Sequence, residues 1–291
     1  MRWVALLPLL VAACGGSAPD TTPPIDQTLY RETHAGRLAY ELERDEEAVA
    51  RFRAALARAQ ERDDLDAIAD NGYNLAVAEL HANAPERALA DARATRMELE
   101  RRGAKPFPAL QLAEATALYR TGAVTEADRM AQLVQHSGDA EAAARATFLL
   151  GLIADDRGDL AGLAAAADAL SAAETPPFEV DAAELAARLA LRRGNAPLAR
   201  QKAARATELR QTTLDYRGLA RALALEGTAA ERTGNKAVAA DLFLRVGRSS
   251  VMQGDQSNAR AWLGRAIFLG SGQPVGRAAS ELLRDLNLDK S

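Results

Sequence analysis

The chain has 291 residues, of which 48% are hydrophobic, 26% charged and only 4% aromatic, and its formal net charge is −4. That profile is globular with ample core material, and its acidic balance argues against a nucleic-acid partner, which needs a basic face. A lone cysteine forms no intrachain disulfide, and an alanine-rich chain without β-branched runs builds helices rather than a sheet core.

At the N-terminus, Arg2 precedes an apolar run from Trp3 to Ala13. The run is too short to span a bilayer and fits a secretory signal peptide. It ends in Val11-Ala12-Ala13-Cys14-Gly15, which resembles the lipobox of bacterial lipoprotein precursors. The resemblance implies that residues 1–13 are a cleaved signal peptide and that Cys14 becomes residue one, lipidated on sulfur and acylated on its new amine. More than one acyl chain is expected because a single chain binds membranes only marginally. The alternative is an ordinary cleaved signal with a chance cysteine. Cleavage would remove only the charge of Arg2, leaving 35 basic against 40 acidic side chains, a net of −5. Residues 14–27 then read as the lipidated cysteine and a tether, flexible at Gly15-Gly16-Ser17 and stiffer around Pro19, Pro23 and Pro24. No acidic residue follows Cys14 directly. By the sorting habit of enteric lipoproteins, this favours a lipid anchor in the outer membrane with the protein facing the periplasm.

From Thr28 onward the sequence alternates helix, small turn, helix. Thr147–Ala164 shows the unit most plainly. Phe148, Leu149, Leu152 and Ile153 have the spacing of an amphipathic helix, Gly158 suits the left-handed position that ends it, and Asp159 suits the cap of the next. Leu160, Leu163, Ala164 and Ala167 restart the period. Comparable turns fall at Arg44-Asp45, Asn83-Ala84-Pro85, Thr121-Gly122, Gly194-Asn195, Gly234-Asn235 and Gly254-Asp255. Several are 36 to 40 residues apart, the period of a helical solenoid. Pro106, Pro108, Pro176 and Pro177 fall between units, where helices stop. The segment Lys236–Gln253 is expected to close one hairpin and open the next, with Ser257–Leu269 and Pro274–Leu286 ending the array.

A second regularity is a small residue followed twelve positions later by another: Gly36/Ala48, Ala76/Ala88, Ala115/Ala127, Ala187/Ala199, Gly227/Ala239 and Gly247/Ala259. Close helix contact requires small side chains at such a crossing. With Phe52, Ala55 and Leu56 following Gly36 and Ala48, the pattern resembles the tetratricopeptide repeat. The Gly227/Ala239/Phe243 unit matches next best. The family's early tryptophan and tyrosine are mostly missing, and Leu163 stands where alanine is usual. The resemblance implies an all-α fold, a right-handed α-solenoid of about seven hairpins over residues 28–290. It also implies a concave groove that holds extended or helical peptides, here lined by Tyr30, Arg37, Tyr40, Tyr73, Leu80, Tyr119, Arg120, Phe148, Leu152, Asp155, Arg188 and Arg192. Tyr and Arg are frequent binding hot spots. Equally, aromatic residues at these positions would pack between neighbouring hairpins. Asn74 lies near the family's carboxylate-clamp asparagine, but the clamp lysines are missing.

Other motifs favour plain readings. His34, His81 and His136 lie in different units without metal spacing, and no catalytic signature accompanies them. Asp155-Asp156-Arg157-Gly158-Asp159 lacks the ligand alternation of a calcium loop and reads as a helix end and cap. Gly270–Gly276 lacks the Lys-Ser/Thr of a phosphate loop and reads as a hinge. The basic run Arg188, Arg192, Arg193, Arg200, Lys202, Arg205 and Arg210 reads as a solvated helical surface, with an acidic partner or a phosphate-bearing lipid as the alternative. The expectation is therefore a membrane-anchored periplasmic scaffold that binds a protein or peptide in envelope assembly or secretion. No enzyme activity, cofactor, metal or nucleic acid is expected. The alternative is a glycan- or small-ligand-binding lipoprotein of envelope polymer export.

Overall fold

The structure, a computed structural model, describes residues 26–173, 176–212 and 215–288. Cys14, the signal peptide and most of the tether lie outside the described residues. The described chain contains fourteen α-helices and no strand. In order they are α1 (Gln27–Glu41), α2 (Asp45–Glu61), α3 (Leu65–His81), α4 (Pro85–Arg101), α5 (Pro108–Arg120), α6 (Val124–Gln135) and α7 (Ala140–Arg157). Then follow α8 (Leu160–Ala172), α9 (Pro176–Arg192), α10 (Ala196–Arg210), α11 (Tyr216–Arg232), α12 (Lys236–Met252), α13 (Gln256–Leu269) and α14 (Pro274–Leu288). Paired in sequence, they form the seven hairpins of an all-α helical solenoid, each helix packing on the next.

Local chemistry sets the helix ends. Asp26, Asp64, Asp139, Asp159, Asn195, Asp215, Asn235 and Asp255 each accept a backbone N–H from the first turn of the helix that follows, which satisfies a donor the helix itself cannot. Pro85 and Pro108 stand at the starts of α4 and α5, where a missing N–H is harmless. The anticipated stop at Gly158 is left-handed, with φ of 72°. Glu43 and Asn83 take the same conformation without being glycine, at φ of 57° each, a strain of about 1 kcal/mol that the turn geometry imposes.

Packing follows the small residues. Ala48, Ala88, Ala127, Ala199, Ala239 and Ala259, the second member of every twelve-residue pair, are fully buried. A related spacing appears at sixteen residues. A Cβ on Gly36 would lie 2.8 Å from the Phe52 ring, one on Gly227 2.7 Å from Phe243, and one on Gly247 2.6 Å from Leu263. The α12/α13 crossing therefore repeats the geometry of the α1/α2 and α11/α12 crossings, which gives α12 the double role read from the sequence. Beyond sequential packing, α3, α5, α7, α9 and α11 each touch the next in that series, and α12 then touches α14. Helices α3, α5, α7, α9 and α11 thus line one side of the solenoid, and α12 and α14 take over the contact at its C-terminal end.

Candidate protein-binding face

On that side of the solenoid the last turns of α1, α3, α5, α7, α9 and α11 meet in succession, and α13 joins α11 from one turn before its end. The Tyr40 and His81 rings lie 5.1 Å apart between α1 and α3. Arg120 on α5 donates through Nη1 to the Leu80 carbonyl of α3 at 2.6 Å. The Tyr119 hydroxyl donates to Asp156 on α7 at 2.6 Å. Arg192 on α9 donates through Nε to the Asp155 carboxylate at 2.6 Å and through Nη2 to its backbone carbonyl at 2.8 Å. Arg232 on α11 donates to the Leu191 carbonyl at 2.7 Å, and Arg265 on α13 holds Glu231 at 2.6 Å. A cation at a helix C-terminus meets the negative end of the macrodipole, so an arginine serves this joint well.

These joints occupy half of the twelve residues projected onto the groove: Tyr40, Leu80, Tyr119, Arg120, Asp155 and Arg192. Their separations of 37 to 41 residues equal the repeat length, and that match was the available sequence signal for a joint. Leu152 is 8% exposed and packs with Leu163, Leu170 and Phe178. Arg188 bridges Asp155 at 3.0 Å and Glu184 at 3.1 Å. Tyr73 is half-buried, edge-on to Phe107 with centroids 6.2 Å apart, and burial pushes its hydroxyl pKa up. Phe148 is half-buried beneath the Arg221 guanidinium, 5.7 Å from the ring centroid, a cation–π geometry. Tyr30 and Arg37 remain exposed. Tyr30, 62% exposed, stacks on His34 and helps line a cavity of about 290 Å³ between α1 and α3, with Leu29, Thr33, Arg37 and Asn71.

The sequence reading missed the electrostatic centre. Glu184 on α9 has no exposed surface and accepts from Arg188 at 3.1 Å, Arg210 at 2.8 Å and Arg221 at 3.0 Å. Burial alone would raise its pKa, but the charges of Arg221, Arg188 and Arg210 bring it down to about 2. Arg210 also bonds Asp181 at 2.8 Å and holds Asp215. Glu114 is gripped likewise by Arg93 and Arg96. Of the basic run, Arg188, Arg192, Arg205 and Arg210 are engaged in ion pairs. His81 contacts Asp45 at 2.6 Å, and His136 contacts the Gln132 carbonyl of its own helix. Among the described residues no cluster of three or more His, Cys, Asp or Glu could hold a metal, and no helix is long and apolar enough to cross a membrane.

No protein-family profile matches the chain, and no curated protein matches it. Solved structures similar to it include a tetratricopeptide repeat protein of Parabacteroides merdae, at 14% identity over 90% of this chain and 99% of that one, with a TM-score of 0.49. The Cut9–Hcn1 hetero-tetramer of the APC/C is similar at 13% identity over 81% of this chain and 48% of that one, TM-score 0.49. The TPR2AB domain of yeast Sti1, in complex with pHSP90, is similar at 15% identity over 89% and 98%, TM-score 0.36. The fold assignment rests on the helix packing of the chain itself.

Proposed function

We propose that this chain is a non-catalytic scaffold of the bacterial cell envelope that holds a partner polypeptide on the side lined by its odd helices. In this reading Cys14 carries the lipid, residues 14–27 are the tether, and the solenoid faces the periplasm from the outer membrane. Anchoring raises the local concentration of partners already at that surface. The observation that carries the reading is the division of labour among the odd helices. Their last turns are spent on joining hairpins, whereas Tyr30 and Arg37 stay exposed beside a cavity of about 290 Å³ at the first hairpin. Tyr and Arg are efficient contact residues because they offer large area and several donors from few rotatable bonds. The buried carboxylates Glu79, Glu114 and Glu184 each sit against arginines of neighbouring helices, which is a structural use of acidic groups.

The test is a photo-crosslinking residue in place of Tyr30 in the full chain, expressed in its native envelope. One polypeptide should be captured, and Arg37→Ala should reduce that capture severalfold at unchanged protein level. Equal capture with Arg37→Ala and Tyr30→Ala in a conventional pull-down sinks the binding face. Mass spectrometry of the mature N-terminus should find an acylated Cys14, and a bare Cys14 sinks the anchor.

A further inference from the structure

Among the described residues, side-chain hydrogen bonds between neighbouring hairpins span at most 41 residues, and one bond spans 136. Arg217, in the first turn of α11, donates through Nη2 to the backbone carbonyl of His81, at the end of α3, at 2.7 Å. The sixth hairpin thus reaches back to the second. Arg120 stands on the same helix end, its Nη1 on the Leu80 carbonyl and its Nη2 on the Asn83 side-chain oxygen, both at 2.6 Å.

Among the described residues neither guanidinium has a carboxylate, both are half-buried and bond only neutral oxygens, and the buried Arg217 Nε has no partner. Nearby carboxylates have other uses: Asp45 contacts His81, Asp215 holds Arg210 and caps α11, and Asp255 caps α13. Burial holds both guanidiniums below the ordinary arginine range, and Arg217 adds to the effect on Arg120. Arg217 also sits at the N-terminal, positive end of α11, an unfavourable place for a cation. One turn further along α11, Arg221 stacks over Phe148, but its charge is already met by Glu184, so Arg217 and Arg120 carry the uncompensated charge. In a chain with net charge −4, this cationic pair is the reverse of the whole.

We propose that Arg217 forms a clasp between the sixth and second hairpins, flanked by Arg120 of the third on the same helix end, and that an acidic, extended polypeptide segment opens it. Carboxylates of the segment replace the carbonyls of Leu80 and His81 as acceptors, because charge-assisted hydrogen bonds are roughly twice as strong as neutral ones. The sixth hairpin then separates from the second and the segment occupies the space between them. The proposal rests on the reading that this face holds a polypeptide and gives that polypeptide its chemistry.

The test uses the full chain with Cys14→Ser, so it is independent of the anchor and of any envelope partner. Spin labels at Glu86→Cys, in the second hairpin, and Gln256→Cys, on α13 where it packs against the sixth, report the separation across the clasp, and a fluorescent glutamate decamer is the probe. The free protein should give one short distance, and the decamer should lengthen it. Arg217→Ala should lengthen it without the decamer. Arg120→Ala and Arg217→Ala should each weaken decamer binding about tenfold, the worth of one charged hydrogen bond. Arg217→Gln keeps a donor for the His81 carbonyl, so it should keep the short distance and still lose affinity. Helix content by circular dichroism shows that the variants are folded. An unchanged distance in Arg217→Ala overturns the clasp. Equal decamer affinity in all variants, or equal binding of a lysine decamer, overturns the site. Tighter binding of inorganic polyphosphate through the same arginines overturns the assignment to a polypeptide.

Discussion

Two buried glutamates show how neighbours decide the value of a charge. Glu184 is fully enclosed, and three guanidiniums outweigh its desolvation. Glu184→Gln keeps the shape but leaves those cations around a neutral amide. Stability to urea should fall by about 3–5 kcal/mol, the range for breaking a buried ionic network from one side. Glu79 is the opposite case. It is equally enclosed, its one ion-pair partner among the described residues is Arg53, at 2.5 Å, and its Oε2 has no partner there. Burial, reinforced by the charge of Asp91, pushes its pKa from 4.5 up to about 7. The folded state then holds a proton that the unfolded state has released across pH 4.5 to 7, so stability declines as pH rises through that window. Chemical denaturation at pH 5 and pH 8 should show the decline in the wild type, and Glu79→Gln should flatten it. A slope retained in the variant places the titration elsewhere.

At the scale of the helix, much was legible in the sequence and the reasons are local. The turn residues, the Asx caps at Asp159, Asn195, Asn235 and Asp255, and the twelve-residue pairs are short-range constraints. A solenoid repeats them, so period and element order could be read directly. The site was less legible. Tyr40, Leu80 and Tyr119 have the spacing of groove residues, but the same spacing serves the hairpin joints, and only the packed fold separates the two uses. Helix propensity and packing compete just as visibly at glycine. Gly227→Ala gains about 1 kcal/mol of helix propensity, but its Cβ would stand 2.7 Å from the buried ring of Phe243. Overpacking of that kind costs about 1–3 kcal/mol, so the variant should be less stable. Gly264 in α13 has nothing within 4 Å of its would-be Cβ, and Gly264→Ala should be more stable by about 0.5–1 kcal/mol. Thermal denaturation of the two variants side by side checks both signs.

The whole molecule adds what neither scale contains. An open solenoid is nearly one-dimensional: each repeat feels only its neighbours, and its stability is a sum of such terms. The bond from Arg217 to the His81 carbonyl, across 136 residues, breaks that rule. No sequence periodicity announces it, because its two ends share no register and no motif. Its consequence is a coupling between distant repeats. In a strictly linear array, loss of a side chain on α11 would loosen α11 and its neighbours α9, α10 and α12, and protection would recover within about one hairpin. With the second and sixth hairpins tied, Arg217→Ala should also raise amide exchange at the end of α3 and in the turn at residues 82–84, while α7, midway along the chain, keeps its protection. Hydrogen exchange followed by peptide mass analysis resolves these segments. Faster exchange confined to α9–α12 would mean the repeats communicate only through adjacent hairpins. A simultaneous loss at α3 and α11 with α7 unchanged would mean the fold closes on itself through one guanidinium.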